Sequence, residues 1–230
     1  MKLFHGQVLP EVEIHPEEQL HIVKVLRIKE GEEIFVTDGH GNLARGRLVF
    51  EGKKVKLDVS EFSTKLPGFP VKVHLAIAPT KNLDRIEFFT EKATELGVSE
   101  ITFLLTDKSE RKILNLERLI KQTVAASKQS LRMHFPTVHP LTKLSDFVAT
   151  CDPHSTYVAH CDPGFSRLQL NDLPKQDSQT FLIGPEGDFS EKEIERLIAL
   201  GIQAVSLGPQ RLRTETAGIF LAAWNYTKFF

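Results

Sequence analysis

Over the first 65 residues the apolar positions fall in short runs cut by glycine-containing turns. Val55, Leu57 and Val59 alternate with polar neighbours across 54–62, the period of a half-buried strand. Two further strands are predicted at 33–37 and 43–50, separated by the turn Asp38-Gly39-His40-Gly41, and Glu51-Gly52 turns the chain before the third. Short strands joined in this way suggest a small barrel or sheet. A helix is predicted at 16–25, opened by Pro16 with Glu17 and Glu18 in its first turn. The run Lys65-Leu66-Pro67-Gly68-Phe69-Pro70 then breaks all periodicity and places a domain boundary between 69 and 70.

Beyond that boundary strand and helix patterns alternate. Strands are predicted at 71–78, 101–105, 157–160, 180–183 and 204–207, and helices at 83–96, 116–129, 191–200 and 214–228. In the first of these helices Ile86, Phe89, Ala93 and Leu96 share a face, and Gly97 stops it. Alternation of this kind predicts a largely parallel sheet covered on both faces. The fold class is therefore α/β, with a small β domain at 1–69 and an α/β domain at 70–230. In the last helix Ala217, Phe220, Leu221 and Trp224 make an apolar stripe, and Ile219, Ala222, Ala223 and Tyr226 cover much of the rest. A helix apolar almost all round is buried, either in the core or in a subunit interface.

Composition narrows the class without naming a function. Of 230 residues 41% are hydrophobic and 26% charged, a globular balance that excludes collagenous and disordered chains. Two cysteines exclude a disulfide scaffold. No apolar run reaches the roughly 18 residues a membrane helix needs, and the start does not read as an export signal, so a cytoplasmic protein without a membrane partner is expected. The net charge of −1 points to no partner. Locally, however, Lys108, Arg111, Lys112, Arg118, Lys121, Lys128 and Arg132 face only Glu110 and Glu117, an excess suited to phosphate neutralisation. Arg45, Arg47, Lys53, Lys54 and Lys56 are candidates to extend that surface; a solvated charged helix is the plain alternative.

Two strand-end loops are the candidate chemical sites, because ligands of open α/β sheets bind beyond the carboxyl ends of the strands. One is Ile183-Gly184-Pro185-Glu186-Gly187-Asp188-Phe189, followed by a Ser190/Glu193 capping box; the other runs from Leu207-Gly208 to Thr216. Neither matches a phosphate loop, a dinucleotide fingerprint or a nucleophile elbow. Cys151, His154, His160 and Cys161 fit no standard zinc spacing, so no metal is expected there. Asp84, Glu87, Glu91 and Glu95 form an acidic stripe, read as a solvated face unless Glu95 helps shape a site.

Several strings occur together and in order: His21-Ile22-Val23-Lys24-Val25-Leu26-Arg27, Glu91-Lys92-Ala93-Thr94-Glu95-Leu96-Gly97-Val98, Ile183-Gly184-Pro185-Glu186-Gly187, and Leu207-Gly208 with Leu212-Arg213-Thr214-Glu215-Thr216-Ala217. Over essentially the whole chain this resembles the RsmE family of ribosomal RNA small-subunit methyltransferases, in the SPOUT superfamily. The resemblance implies an N-terminal PUA-like β-barrel that binds RNA, and a SPOUT methyltransferase domain with a C-terminal trefoil knot. It further implies a homodimer, S-adenosyl-L-methionine as cofactor, and 3-methyluridine in 16S rRNA, naked or within the small ribosomal subunit, as product.

On the same resemblance Leu182, Ile183, Gly184, Pro185, Glu186, Gly187, Leu207, Gly208, Leu212 and Thr216 are the cofactor-binding candidates. Arg213 is the catalytic candidate, with Glu215 and Glu95 as weaker ones for proton acceptance or for holding the arginine. Arg27, Lys81, Arg85, Gln129 and Arg132 are the RNA-binding candidates. The chain departs from the family pattern at Met1-Lys2-Leu3-Phe4, where an arginine-rich start is usual, and at Gln129-Ser130-Leu131-Arg132-Met133, where the family string has glycine third. It departs again at Gln210-Arg211-Leu212-Arg213 and at Asp188, which replaces a second glycine. A related SPOUT enzyme with another target atom, or a non-catalytic RNA-binding protein, are the alternative functions.

Overall fold

In a computed structural model of the chain, all residues are described except Lys53, Phe69, Pro70, Pro163, Phe229 and Phe230. The boundary expected between 69 and 70 and the candidate Lys53 lie outside the described residues. The chain divides into two compact units, Met1–Gly68 with Val124–Phe135, and Phe69–Thr123 with Pro136–Phe230. Residues 124–135, expected in the second domain, thus group with the first.

The first unit is a five-stranded sheet in the order β2-β1-β3-β4-β5. Its strands are β1 (Leu3–Gln7), β2 (Glu13–Ile14), β3 (Glu33–Thr37), β4 (Asn42–Glu51) and β5 (Lys54–Thr64). β1 runs parallel to β3 and the other pairs are antiparallel. The alternation that predicted three strands also fills the core, where Ile34, Val36, Ala44, Leu48 and Val55 meet Phe4, Ile14 and Ile22. The helix predicted at 16–25 is broken: α1 (Pro16–Leu20) passes into a wider π-helical turn, His21–Leu26, which ends on Arg27 at φ 50°. Ile22, Val23 and Val25 are β-branched and crowd a tight α turn.

The second segment of this unit is tied in by specific bonds. Lys128 forms an ion pair with Glu18, both side chains largely buried. Gly41 N donates to Met133 O and Phe135 N to Gly39 O, each at 2.8 Å. A ring nitrogen of His134 lies 2.7 Å from Lys65 O.

The second unit carries β6 (Lys72–Ile77), α2 (Leu83–Glu95), β7 (Glu100–Leu105), α3 (Leu116–Gln129), β8 (Thr137–Lys143), α4 (Leu144–Val148) and β9 (Thr156–Ala159). It continues with β10 (Leu168–Gln169), β11 (Ser178–Ile183), α5 (Glu191–Ala199), β12 (Gln203–Ser206) and α6 (Thr214–Thr227). The last residues of α3, from Val124 on, count with the first unit. The sheet order is β10-β12-β9-β11-β6-β7-β8, with every neighbouring pair parallel. β8 escaped the sequence reading because Pro140 interrupts it; at a sheet edge the missing N–H is tolerated.

Both faces of the sheet are buried, as alternation requires. Val73, Leu75 and Ile77 pack with Ile86 and Phe89 of α2 and with Ala217 and Leu221 of α6. Ala76, Leu104, Val158 and Leu182 pack on the other face with Leu144, Val148, Ile194 and Leu197. Asn82 caps α2 by accepting from Asp84 N at 2.9 Å. α6 comes so close to α2 that a Cβ on Gly218 would stand 2.4 Å from Phe89 Cε2. The final helix is therefore core along Ala217, Gly218 and Leu221, while Phe220 and Tyr226 remain exposed. The acidic stripe is not bare: Arg118 pairs with Glu87 at 2.7 Å, and Lys92 binds both Glu91 and Glu95.

Candidate active site

A cavity of about 720 Å³ opens at the carboxyl ends of β9, β11 and β12, three adjacent strands. Its walls are the two loops singled out in the sequence, together with the chain just after β9. In the first loop Asp188 adopts φ 59°, a left-handed conformation that asparagine, aspartate and glycine tolerate best. Its carboxylate accepts from Cys161 N at 2.7 Å and from Phe189 N at 2.8 Å. Asp188 thus holds a left-handed backbone conformation and adds a brace to the β9 end.

Lys108, itself on the cavity wall, supports this loop, donating to Gly187 O at 2.9 Å and to Phe189 O at 3.0 Å. Glu193 completes the capping box and also accepts from Asp107 N at 2.9 Å, while Ser190 Oγ donates to Asp107 at 2.8 Å. Part of the basic segment therefore serves structure. Arg111 likewise bonds Thr80 O and Lys81 O, and Lys81 N donates to Glu186.

In the second loop Gly208 takes φ 120°, which a side chain rarely adopts, with nothing near a would-be Cβ. Thr214, at the start of α6, donates from its hydroxyl to Gly184 O at 2.9 Å and ties the two loops together. His160 lines the cavity and is buried. Its Nδ1 accepts from Asp162 N at 3.1 Å, which leaves Nε2, buried and without a partner, as the N–H of the neutral ring. Burial is the main cause that lowers the His160 pKa below its usual value.

Of the cofactor-binding candidates, Ile183, Gly184, Pro185, Glu186, Gly187, Leu207, Gly208 and Leu212 line the cavity. Leu182 is fully buried in the core beneath it, and Thr216 is exposed and outside the lining. Thr214, rather than Thr216, is the threonine of this turn that lines the cavity. Arg213 lines the cavity at the N-cap of α6. Glu215 is buried at the start of the same helix, 3.7 Å from Arg85 Nε, with its Oε2 unpartnered. Glu95 bonds Lys92 on α2 and is outside the lining. Arg27 and Gln129 are exposed, Lys81 pairs with Glu110 at 3.0 Å, Arg85 is engaged with Glu215, and Arg132 N donates to Ser127 O. Lys108, His160 and Arg167 were not anticipated as lining; only the strand-end rule applied to β9 would have found His160.

Family comparison agrees with this architecture. Residues 67–225 match the RNA methyltransferase domain and residues 15–59 the RNA methyltransferase PUA domain, so fold and site define an RNA methyltransferase. Ribosomal RNA small subunit methyltransferase E of Bacillus subtilis (strain 168) is 31% identical, with 94% of this chain and 90% of that protein covered. A probable rRNA-methyltransferase from Porphyromonas gingivalis superimposes with a TM-score of 0.90 at 32% identity, covering 99% of this chain and 98% of the other. A ribosomal RNA small subunit methyltransferase E from Neisseria gonorrhoeae, solved bound to S-adenosyl methionine, superimposes with a TM-score of 0.84 at 27% identity and the same coverage. The chain belongs to the ribosomal RNA small subunit methyltransferase E family.

Proposed function

We propose that this protein transfers the methyl group of S-adenosylmethionine to N3 of a uridine in 16S rRNA. The observation that carries the reading is the loop-built cavity at the ends of β9, β11 and β12. Its volume suits a nucleoside joined to an amino acid. Ile183, Val205, Leu212 and Ala217 offer an apolar bed for a flat base, and the loop backbones offer polar groups for its edge and for the ribose and methionine parts. The structure of the gonococcal relative holds that cofactor. When bound, the cofactor supplies a methyl group already activated by its sulfonium.

What remains for the protein is alignment and the fate of the N3 proton. Arg213, on the cavity wall, is assigned to the developing negative charge on the uracil. Glu215, close to Arg213 in the chain and with one carboxylate oxygen unpartnered, holds Arg85 and is the favoured carboxylate candidate; Glu95 already serves Lys92. The uridine must be unpaired or flipped, because pairing hides its N3 edge. The first unit, together with Arg27, Lys81, Arg85, Gln129 and Arg132, is assigned to the RNA.

Three further properties belong to this reading. The C-terminal segment forms a trefoil knot, supported by the placement of β12 beyond β9 and the return of α6 onto α2. The protein works as a homodimer, supported by the exposed Phe88 of α2 and Phe220 of α6 on neighbouring helices. It acts in the cytoplasm, on the small subunit or its RNA. The test is methyl transfer from labelled S-adenosylmethionine to small subunits lacking the modification, with nucleoside analysis. Labelled 3-methyluridine is expected, and Arg213→Ala should abolish it while cofactor binding survives. A different methylated nucleoside would overturn the target atom, and absence of cofactor binding would overturn the enzyme reading.

A further inference from the structure

His74, Glu100 and His139 gather on one face of the second unit's sheet, apart from the residues lining the cofactor cavity. Register explains the grouping: His74 of β6 pairs with Glu100 of β7, and Thr102 of β7 pairs with His139 of β8. Residues two apart on a strand share a face, so two imidazoles, a carboxylate and a hydroxyl project together from three adjacent strands. One ligating atom from each of His74, Glu100 and His139 lies within 4.8 Å of the others. A ring nitrogen of His139 stands 2.9 Å from Glu100 Oε2, and one of His74 stands 2.7 Å from Thr102 Oγ1. Phe147 packs edge-on against His74 at 5.4 Å between centroids.

We propose that this cluster is a binding site for a divalent transition-metal ion, with Zn²⁺ the best match. Two imidazole nitrogens and one carboxylate are the donor set that suits zinc and its neighbours, whereas Ca²⁺ and Mg²⁺ call for oxygen donors throughout. Zinc bonds of about 2.0–2.1 Å place tetrahedral ligand atoms roughly 3.4 Å apart. The spacing of up to 4.8 Å must therefore close by about an ångström or more when the ion enters. Entry of the ion exchanges the His139–Glu100 hydrogen bond for two metal bonds: the proton on His139 Nε2 leaves and the bound ring keeps one on Nδ1, so it ligates as a neutral imidazole. The three residues are half-buried, which leaves the fourth position to water. Thr102 acts as the outer partner that orients the His74 ring.

The position on the sheet limits the role. His74 and His139 are the third residues of their strands and Glu100 the first, in the amino-terminal half of the sheet, while the cofactor cavity opens at the carboxyl ends. The ion therefore fastens the edge strand β8 to β7 and β6 and takes no part in methyl transfer. The test uses full-length protein stripped with chelator and titrated with Co²⁺, then with Zn²⁺. One equivalent of Co²⁺ should develop the visible absorption of a tetrahedral site, Zn²⁺ should displace it, and the His139 ring resonances should shift with the same stoichiometry. Glu100→Gln and His139→Gln, at half-exposed positions, should each weaken binding about tenfold or more while cofactor affinity, the check on folding, stays at the parent value. No Co²⁺ absorption with the metal in excess would overturn the proposal. So would a site whose affinity both substitutions leave unchanged, which would place the ion elsewhere, for example on Cys151 or Cys161.

Discussion

Thr214→Val asks how firmly the two cavity loops depend on one another. The Thr214 hydroxyl donates to Gly184 O at 2.9 Å, and both residues are buried. Valine keeps the shape and removes the donor. Losing an average neutral hydrogen bond costs about 0.5–1.5 kcal/mol, and leaving a buried acceptor without its partner raises that to about 1–3 kcal/mol. The free energy of unfolding, measured with urea, should fall by that amount. The bond also holds the Gly184 loop against the start of α6, so S-adenosylmethionine should dissociate more readily. Were the whole loss to fall on binding, affinity would drop about 5–150-fold; with stability absorbing most of it, calorimetry should find a decrease of about tenfold or less. Thr214→Ser restores the hydroxyl and should recover both quantities. A valine variant as stable and as tight as the parent, or a serine variant no better than valine, would refute the idea that this bond joins the loops.

Gly218→Ala should destabilise the protein although alanine is the better helix former. The propensity gain of about 1 kcal/mol is outweighed by overpacking of about 1–3 kcal/mol against the fully buried Phe89, and a raised urea midpoint would contradict this. Leu131→Gly should stabilise by up to about 1 kcal/mol, since Leu131 holds φ 56° at an exposed position and a left-handed residue costs roughly 1–2 kcal/mol; thermal melts of the two proteins decide it. His5 and His160 both have their pKa values lowered, burial being the largest cause in each. The unfolded chain takes up these protons near pH 6.5 and the native protein only at lower pH. Their contribution is therefore complete above about pH 6.5 and declines as the pH falls toward the native values. Denaturant titrations at falling pH should show that decline, and histidine NMR should place both titrations below the usual value.

Much of the second unit was legible because period and punctuation agree there. Leu116–Gln129 forms the helix its spacing predicts, and the Ser190/Glu193 box makes both of its expected bonds. The strand-end loops were legible for the same reason: glycine and proline mark where a buried strand must stop. What the sequence hid depends on distant partners. β1 is short and finds its place by pairing with β2 and β3, and β8 contains a proline that only an edge position excuses. His160 reaches the cavity because the register sets β9 between β11 and β12, and no spacing in the chain encodes that. The same holds for Lys108, whose charge suggested nucleic acid and whose bonds go to loop carbonyls. Leu182 and Thr216 flank the right segments, but strand alternation turns one into the core and the helix turn carries the other outward.

The return of the chain to its first unit through Val124–Phe135 bears on how that unit is made. During synthesis the strands β1 to β5 leave the ribosome long before Lys128, the partner of Glu18, or the backbone that meets Gly39 and Gly41. At about 5–20 residues per second, the unit waits several seconds for that segment. Its completion is thereby linked to synthesis of β6, β7 and most of α3. A gene fragment ending at Gly68 would encode a sheet without its closing segment, so a separately expressed first unit would need 124–135 grafted back by circular rearrangement rather than by simple truncation.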